Sequence, residues 1–285
     1  MTRCWCKLLL NLLVLFSLSV PAFAADTAKE SAYDRVMRTH TLRCGYILYP
    51  PYMDKDLKSG QLKGPSHDVV EETGKALNLS IQWVEEVPVG QDVATLETGK
   101  VDSICGITGT YDPNMFPLID FSQPYLYVRN MIYARAGDAR FSKPVGPGDL
   151  NQPDLTFGGI EGDSTALYAK LLFPKAKVSE LPQLSDTAQI FMEIDASKVD
   201  LAIVEPGVAA RALASNPARY KPLRFTGHLP AYGAAFSFPK GEEKLISTIN
   251  QTIDYLNVNG VIDDVLDRYD PQKTLFIRPA KPYAE

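Results

Sequence analysis

Residues 100–107, Lys-Val-Asp-Ser-Ile-Cys-Gly-Ile, and residues 198–205, Lys-Val-Asp-Leu-Ala-Ile-Val-Glu, decide how this chain of 285 residues is organised. Each Lys-Val-Asp follows a short helix-like segment and leads into an apolar run of strand length. Three repeated letters mean little alone, but the same letters in the same place within the same order of elements indicate two similar units rather than one large sheet.

Working outward from the first copy, residues 42–48 (LRCGYIL) read as a strand. Residues 66–77 (SHDVVEETGKAL) read as a helix capped by Ser66, with Val69, Val70, Thr73, Ala76 and Leu77 along one face. A strand over 80–87 and a short helix over 90–99 complete a βαβαβ unit with a parallel sheet. Around the second copy the order recurs: strand 155–160, helix 163–173, a weak strand 176–181, helix 186–194, and the strand that ends at Glu205.

Beyond it, a strand ending at Pro239-Lys240-Gly241 precedes a helix with Leu245, Ile249, Ile253 and Leu256 on one face. Asn259-Gly260 breaks this helix before another short one. Such a helical hairpin needs a sheet to lie on. The expected path crosses to the second unit near residues 127–136, returns near 225–234 and finishes on the first. The fold class is therefore α/β and two-lobed, with residues 25–130 and 228–285 in lobe 1, residues 131–227 in lobe 2, and two crossovers acting as a hinge. Parallel sheets bind ligands beyond the carboxyl ends of their strands, which places the expected site in a cleft between jaws that close on a small solute.

The N-terminal residues MTRCWCK are basic, residues 8–20 are apolar but short for a bilayer span, and Ala22-Phe23-Ala24 has the small-x-small form of a cleavage site. Residues 1–24 thus read as a secretory signal, and the mature chain as periplasmic. Without Arg3 and Lys7, 27 cationic residues face 34 anionic ones, a formal charge of −7. An acidic chain with no Lys/Arg block excludes nucleic acid and an anionic membrane as partners. His40, His67 and His228 show no metal-ligand spacing, the Ser-His-Asp letters at 66–68 are too close along a helix to form a catalytic relay, and no cofactor is expected. Cys44 and Cys105 lie in apolar strand-like runs. They read first as buried small fillers, with a disulfide as the alternative that an oxidising compartment permits.

Five segments in order resemble one family, the periplasmic solute-binding proteins of polar amino acid ABC transporters (family 3, type II periplasmic binding fold). They are LRCGYILYPPYMDKDLKSGQLKGPSHDVVEETGKALN, LETGKVDSICGITGTYDPNMFPLIDFSQPY, EGDSTALY, KVDLAIVEPGVAARAL and the closing strand with its helices. By this resemblance Tyr49 stacks on the ligand with Tyr52 behind it, and Thr108 and Thr110 face a carboxylate. Asp163 and Ser164 stand at a helix start across the cleft, where Ser164 either caps or binds. Glu205, at the end of a buried strand, receives an ammonium group, with helix capping as a further role. Met115 falls where the family holds the ligand's α-carboxylate with an Arg, and no Lys or Arg lies between Val101 and Val128. A thioether cannot replace a guanidinium fork, which implies a changed ligand, amine-bearing or neutral and polar. Arg129, downstream, reads as a solvated side chain on the crossover.

The partners implied are a small polar solute, amino-acid-like or amine-bearing, and an ABC transporter permease at the inner membrane, with the protein a monomer. Two other readings stand beside this one: an exported enzyme of the same fold resembling the cyclohexadienyl dehydratases, and a binding module that reports to a sensor or redox partner. All of them require the gap between the jaws not to be plugged by the protein's own side chains.

Overall fold

The computed structural model describes residues 30–281 except 110–112, 184 and 215–217. The signal segment, 1–24, lies outside the described residues. No helix among the described residues is long and apolar enough to cross a membrane.

Helix α1 (Ala32–Thr39) leads into β1 (Thr41–Tyr46). A small hairpin of β2 (Asp54–Lys55) and β3 (Leu62–Lys63) precedes α2 (Pro65–Ala76). Then come β4 (Ser80–Glu86), α3 (Asp92–Glu97) and β5 (Ser103–Gly109). Strand β1 pairs in parallel with both β4 and β5, which is the first expected βαβαβ unit. Strands β6 (Ile119–Phe121) and β7 (Leu126–Val128) follow before the chain leaves this sheet.

The second sheet opens with β8 (Met131–Arg135) and, after α4 (Pro147–Leu150), repeats the plan. Strand β9 (Thr156–Ile160), α5 (Ser164–Leu172), β10 (Lys177–Leu181), α6 (Thr187–Asp195) and β11 (Leu201–Val204) form it, with β9 parallel to β10 and β11. Helix α7 (Pro206–Leu213) and β12 (Tyr220–Pro222) close this part. Strand β13 (Tyr232–Pro239) returns to the first sheet, followed by α8 (Glu243–Val258), α9 (Val261–Tyr269) and β14 (Phe276–Ile277).

The sheet orders are β14-β7-β13-β5-β1-β4, with β6 also on β13, and β10-β9-β11-β8-β12. The changes of sheet fall at residues 129–130 and 223–231, and the Asn130 side chain donates to the Pro230 carbonyl at 2.8 Å, tying the two crossovers together. The apolar face read from α8 packs as expected: Leu245, Ile249, Ile253 and Leu256 are buried with Ile262, Val265 and Leu266 of α9 against β13. The short β14 on β7 had no sequence signal beyond two apolar residues.

The repeated Lys-Val-Asp is one structural device used twice. Asp102 accepts from the Arg43 backbone N–H at 2.8 Å, and its own N–H donates back to the Arg43 carbonyl. Asp200 does the same to Thr156 at the start of β9, accepting at 2.9 Å and donating back at 2.8 Å. Val101 and Val199 then fill matching space beside Gly45 and Gly158. Charge completes each clamp. Arg35 and Arg43 converge on Asp102, whose side chain is 1 % exposed, while Arg140 serves the more open Asp200.

Two sequence expectations are corrected here. Ser66 does not cap α2: the helix starts at Pro65 with Gly64 as its cap residue, and the Ser66 hydroxyl is buried without a partner. Gly64 has φ +121°, and a Cβ there would lie 2.4 Å from the Tyr52 carbonyl oxygen, so the turn requires glycine where serine would be a better cap. Nor are the cysteines separate fillers: Cys44 and Cys105 form a disulfide with Cα atoms 5.4 Å apart. The register sets Cys44 opposite Ser103, which brings Cys105 within diagonal reach on the neighbouring strand.

Removing the Asp102 carboxylate leaves two guanidinium groups and a backbone N–H without their acceptor. In urea unfolding, Asp102→Ala is expected to cost about 3 kcal/mol or more and Asp200→Ala about 1–2 kcal/mol, the order following burial. The disulfide spans 61 residues, for which chain entropy gives roughly 4 kcal/mol as an upper figure. Cys44→Ala/Cys105→Ala should lower the melting temperature, and reductant should then have no further effect.

Candidate functional site

The loop after β1 starts the site. Tyr49 closes a tight turn with Met53, donating to its carbonyl at 2.8 Å, and the rings of Tyr49 and Tyr52 stack at 5.8 Å and 14°. Tyr52 is fully buried and packs against Phe276, so β14 supports this loop from behind. From the second sheet, β11 delivers Glu205 at its carboxyl end, where Pro206 starts α7.

Glu205 is 2 % exposed, and its Oε1 accepts from the Tyr232 hydroxyl at 2.7 Å and the Tyr49 hydroxyl at 3.3 Å. Its other oxygen, Oε2, and the Tyr52 hydroxyl are buried, and the Tyr52 hydroxyl acts on the carboxylate as a further hydrogen-bond donor. The capping role read from sequence is not its own, because the Glu205 side chain makes no cap hydrogen bond to α7. Close approach of the helix to the loop comes from Gly207, where a Cβ would meet the Pro51 ring at 2.9 Å. Here the jaws meet through the protein's own side chains, contrary to the open gap expected, and a solute reaching Glu205 must replace tyrosine contacts.

Burial pushes the Glu205 carboxyl up to about 7, the Tyr232 hydrogen bond holds it partly down, and nearby Asp163 pushes it further up. Burial and the Glu205 charge together hold the hydroxyls of Tyr49, Tyr52 and Tyr232 well above the usual phenol range. Tyr168 on α5 is raised by burial, then by Glu205 and Asp163. Six residues from four segments therefore share one electrostatic neighbourhood with two carboxylates in it.

The remaining expected residues divide. Asp163 takes the cap of α5, accepting from the Thr165 N–H and hydroxyl at 2.8 Å each, while Ser164 is the first helical residue and not the cap. The Thr108 hydroxyl is buried and donates to the Ala235 carbonyl across the sheet at 2.7 Å. Thr110 lies outside the described residues. Met115 ends a short 3-10 turn, half-buried against the apolar cluster of Ile47, Val87, Leu96 and Ile104. Arg129 is half-buried in the first crossover, with its Nε enclosed and unpartnered.

Sequence reading missed Tyr232. Its signal was present, an aromatic opening the returning strand directly after the crossover, but only the pairing of Tyr232 with Val128 shows that it starts the strand beside the second sheet. A groove of about 790 Å³ over Tyr46, His67 and Trp83, and another of about 440 Å³ along α8, include none of these residues. Among the described residues no cluster of His, Cys, Asp and Glu is arranged to hold a metal ion.

The family model of the bacterial extracellular solute-binding proteins, family 3, matches residues 42–272. A probable histidine-binding protein of Campylobacter jejuni is 25% identical over 93% of this chain and 98% of its own. The L-arginine-binding protein of Pseudomonas aeruginosa is 24% identical over 92% and 95%. Among solved structures, the ancestral amino acid-binding protein AncCDT-1, a precursor of cyclohexadienyl dehydratase, superposes with a TM-score of 0.68 at 25% identity, covering 84% of this chain and 99% of that one. A putative ABC transporter binding component from Wolinella succinogenes, complexed with lysine, gives 0.67 at 23% identity over 80% and 95%, a likeness of fold.

The folded protein keeps a proton on Glu205 that the unfolded chain, with its carboxyl near 4.5, has already released. Stability from this group is therefore lost as pH rises from about 4.5 to about 7, by roughly 3 kcal/mol at most. Denaturation of Glu205→Gln should show a flatter profile over that window and greater stability than wild type at pH 8.

Proposed function

Since this chain belongs to the bacterial extracellular solute-binding proteins of family 3, we propose that it captures a small polar solute, amino-acid-like or amine-bearing, between its two lobes and delivers it to an ABC transporter permease. The observation that carries this reading is the meeting of Glu205, from the end of β11, with Tyr49 from the other sheet and Tyr232 from the returning crossover. A buried carboxylate held by hydroxyls from two other segments is a site for a donor-rich, positively charged group, and it lies where lobe motion would open and close it.

We take the two lobes to be those expected from sequence, 25–130 with 228–285 and 131–227. The relatives named for histidine and arginine are consistent with a basic solute. For the enzymatic alternative, a prephenate-like acid in this cleft would sit beside Glu205 and Asp163, two carboxylates, which favours binding over turnover. Tyr49, Tyr52 and Glu205 are assigned to the solute, Asp163 to the electrostatics of the cleft, and Met115 to the wall of lobe 1.

The test is calorimetry against basic, neutral and acidic amino acids and simple amines, followed by uptake in cells lacking the protein. Binding of at least one basic solute, weakened at least tenfold by Glu205→Gln, and uptake lost on deletion are the expected results. Turnover of a prephenate-like acid would replace this reading with the enzymatic one.

A further inference from the structure

We propose that the solute is an organic cation with no carboxylate, an aliphatic or guanidino amine of the kind left when a basic amino acid loses its α-carboxyl group. This rests on the reading of the interlobe cleft as a solute site. The Glu205 carboxylate, enclosed and met only by tyrosine hydroxyls, marks where such a group's N–H donors go.

Two places where the described residues could meet a ligand carboxylate are already committed. The Thr108 hydroxyl gives its proton to Ala235. The N-terminus of α5 is taken by the Asp163 side chain, which accepts from Thr165, so an anion arriving there meets a carboxylate instead of free amides. Around Glu205 stand Tyr49, Tyr52, Tyr168, Tyr232 and Asp163; the Glu205 charge acts on all four tyrosines, and Asp163 acts on Tyr49 and Tyr168. The residues between Val101 and Val128 contain no Lys or Arg, and this span includes the undescribed Thr110, Tyr111 and Asp112.

A zwitterionic amino acid would therefore bring a third carboxylate beside Glu205 and Asp163, and the charge that acts most strongly on Glu205 is itself negative. A free amine brings the charge the site lacks. Its hydrocarbon stem meets tyrosine faces, which also attract a cation through their ring electrons.

Matched pairs decide the matter: arginine against agmatine, lysine against cadaverine, histidine against histamine, by calorimetry at pH 8. In at least one pair the amine is expected to bind at least tenfold tighter than its amino acid. Its affinity should rise from pH 6 to pH 8 as Glu205 gives up its proton, and this rise should vanish in Glu205→Gln. Asp163→Asn, which keeps a capping side chain on α5, should weaken the amine about tenfold and leave the melting temperature of the free protein nearly unchanged. Tighter binding of the amino acid in every pair overturns the proposal while leaving the solute-binding role intact, and loss of that affinity in Arg129→Met would identify Arg129 as the carboxylate's anchor. Binding of only neutral or acidic solutes overturns it as well. No binding by any solute of the wider panel removes the underlying role too.

Discussion

Asp102 fixes the geometry on which the rest of lobe 1 depends. It sits at the entrance of β5, is almost fully enclosed, and is held by two guanidinium groups and the backbone of β1. A buried carboxylate is expensive unless its lone pairs are met, and here they are. Because the contact is to the backbone of Arg43, it sets the register of β1 against β5, and register decides which side chains reach the carboxyl ends of both strands. The second lobe solves the same problem with Asp200, at lower burial and with one arginine. Two sheets built by one rule thus present their strand ends to a common cleft.

Glu205 is the contrasting case. It ends the strand that Asp200 begins, yet its own carboxylate meets only tyrosine hydroxyls and lies within the field of Asp163. A fold optimised for stability alone would not keep this arrangement, since a neutral isostere would serve the core better. The contact between α7 and the Tyr49–Tyr52 loop is what makes the carboxylate costly, and in the proposed reading a cation entering between the lobes would offset that cost. Closure and recognition are then the same electrostatic event.

Much of this was legible beforehand, for identifiable reasons. The alternation of short apolar strands with helical periodicity, and the repeated Lys-Val-Asp, depend on local spacing and survive without coordinates. So does the position of Glu205, because a carboxylate ending an apolar strand before Pro206 is unusual in itself. What failed was set by tertiary register or by a single residue of helix phase. The Cys44–Cys105 bond depends on β1 facing Ser103 rather than a neighbour. The cap of α5 falls on Asp163 instead of Ser164, and that of α2 is displaced to Gly64 because the chain must pass the Tyr52 carbonyl. Tyr232 escaped notice because its partner lies on another sheet, 27 residues away in sequence.

The Cys44–Cys105 bond joins β1, from whose end the Tyr49 loop extends, to β5, which carries Thr108. Welded in this way, the wall of lobe 1 behaves as a rigid template: neither strand can slide along the other to accommodate a bulkier guest. On the proposed reading, adaptation to a solute is left to residues 129–130 and 223–231, so selectivity would work through whether the mouth can shut, and a poorly fitting molecule would leave the protein ajar instead of reshaping its palate.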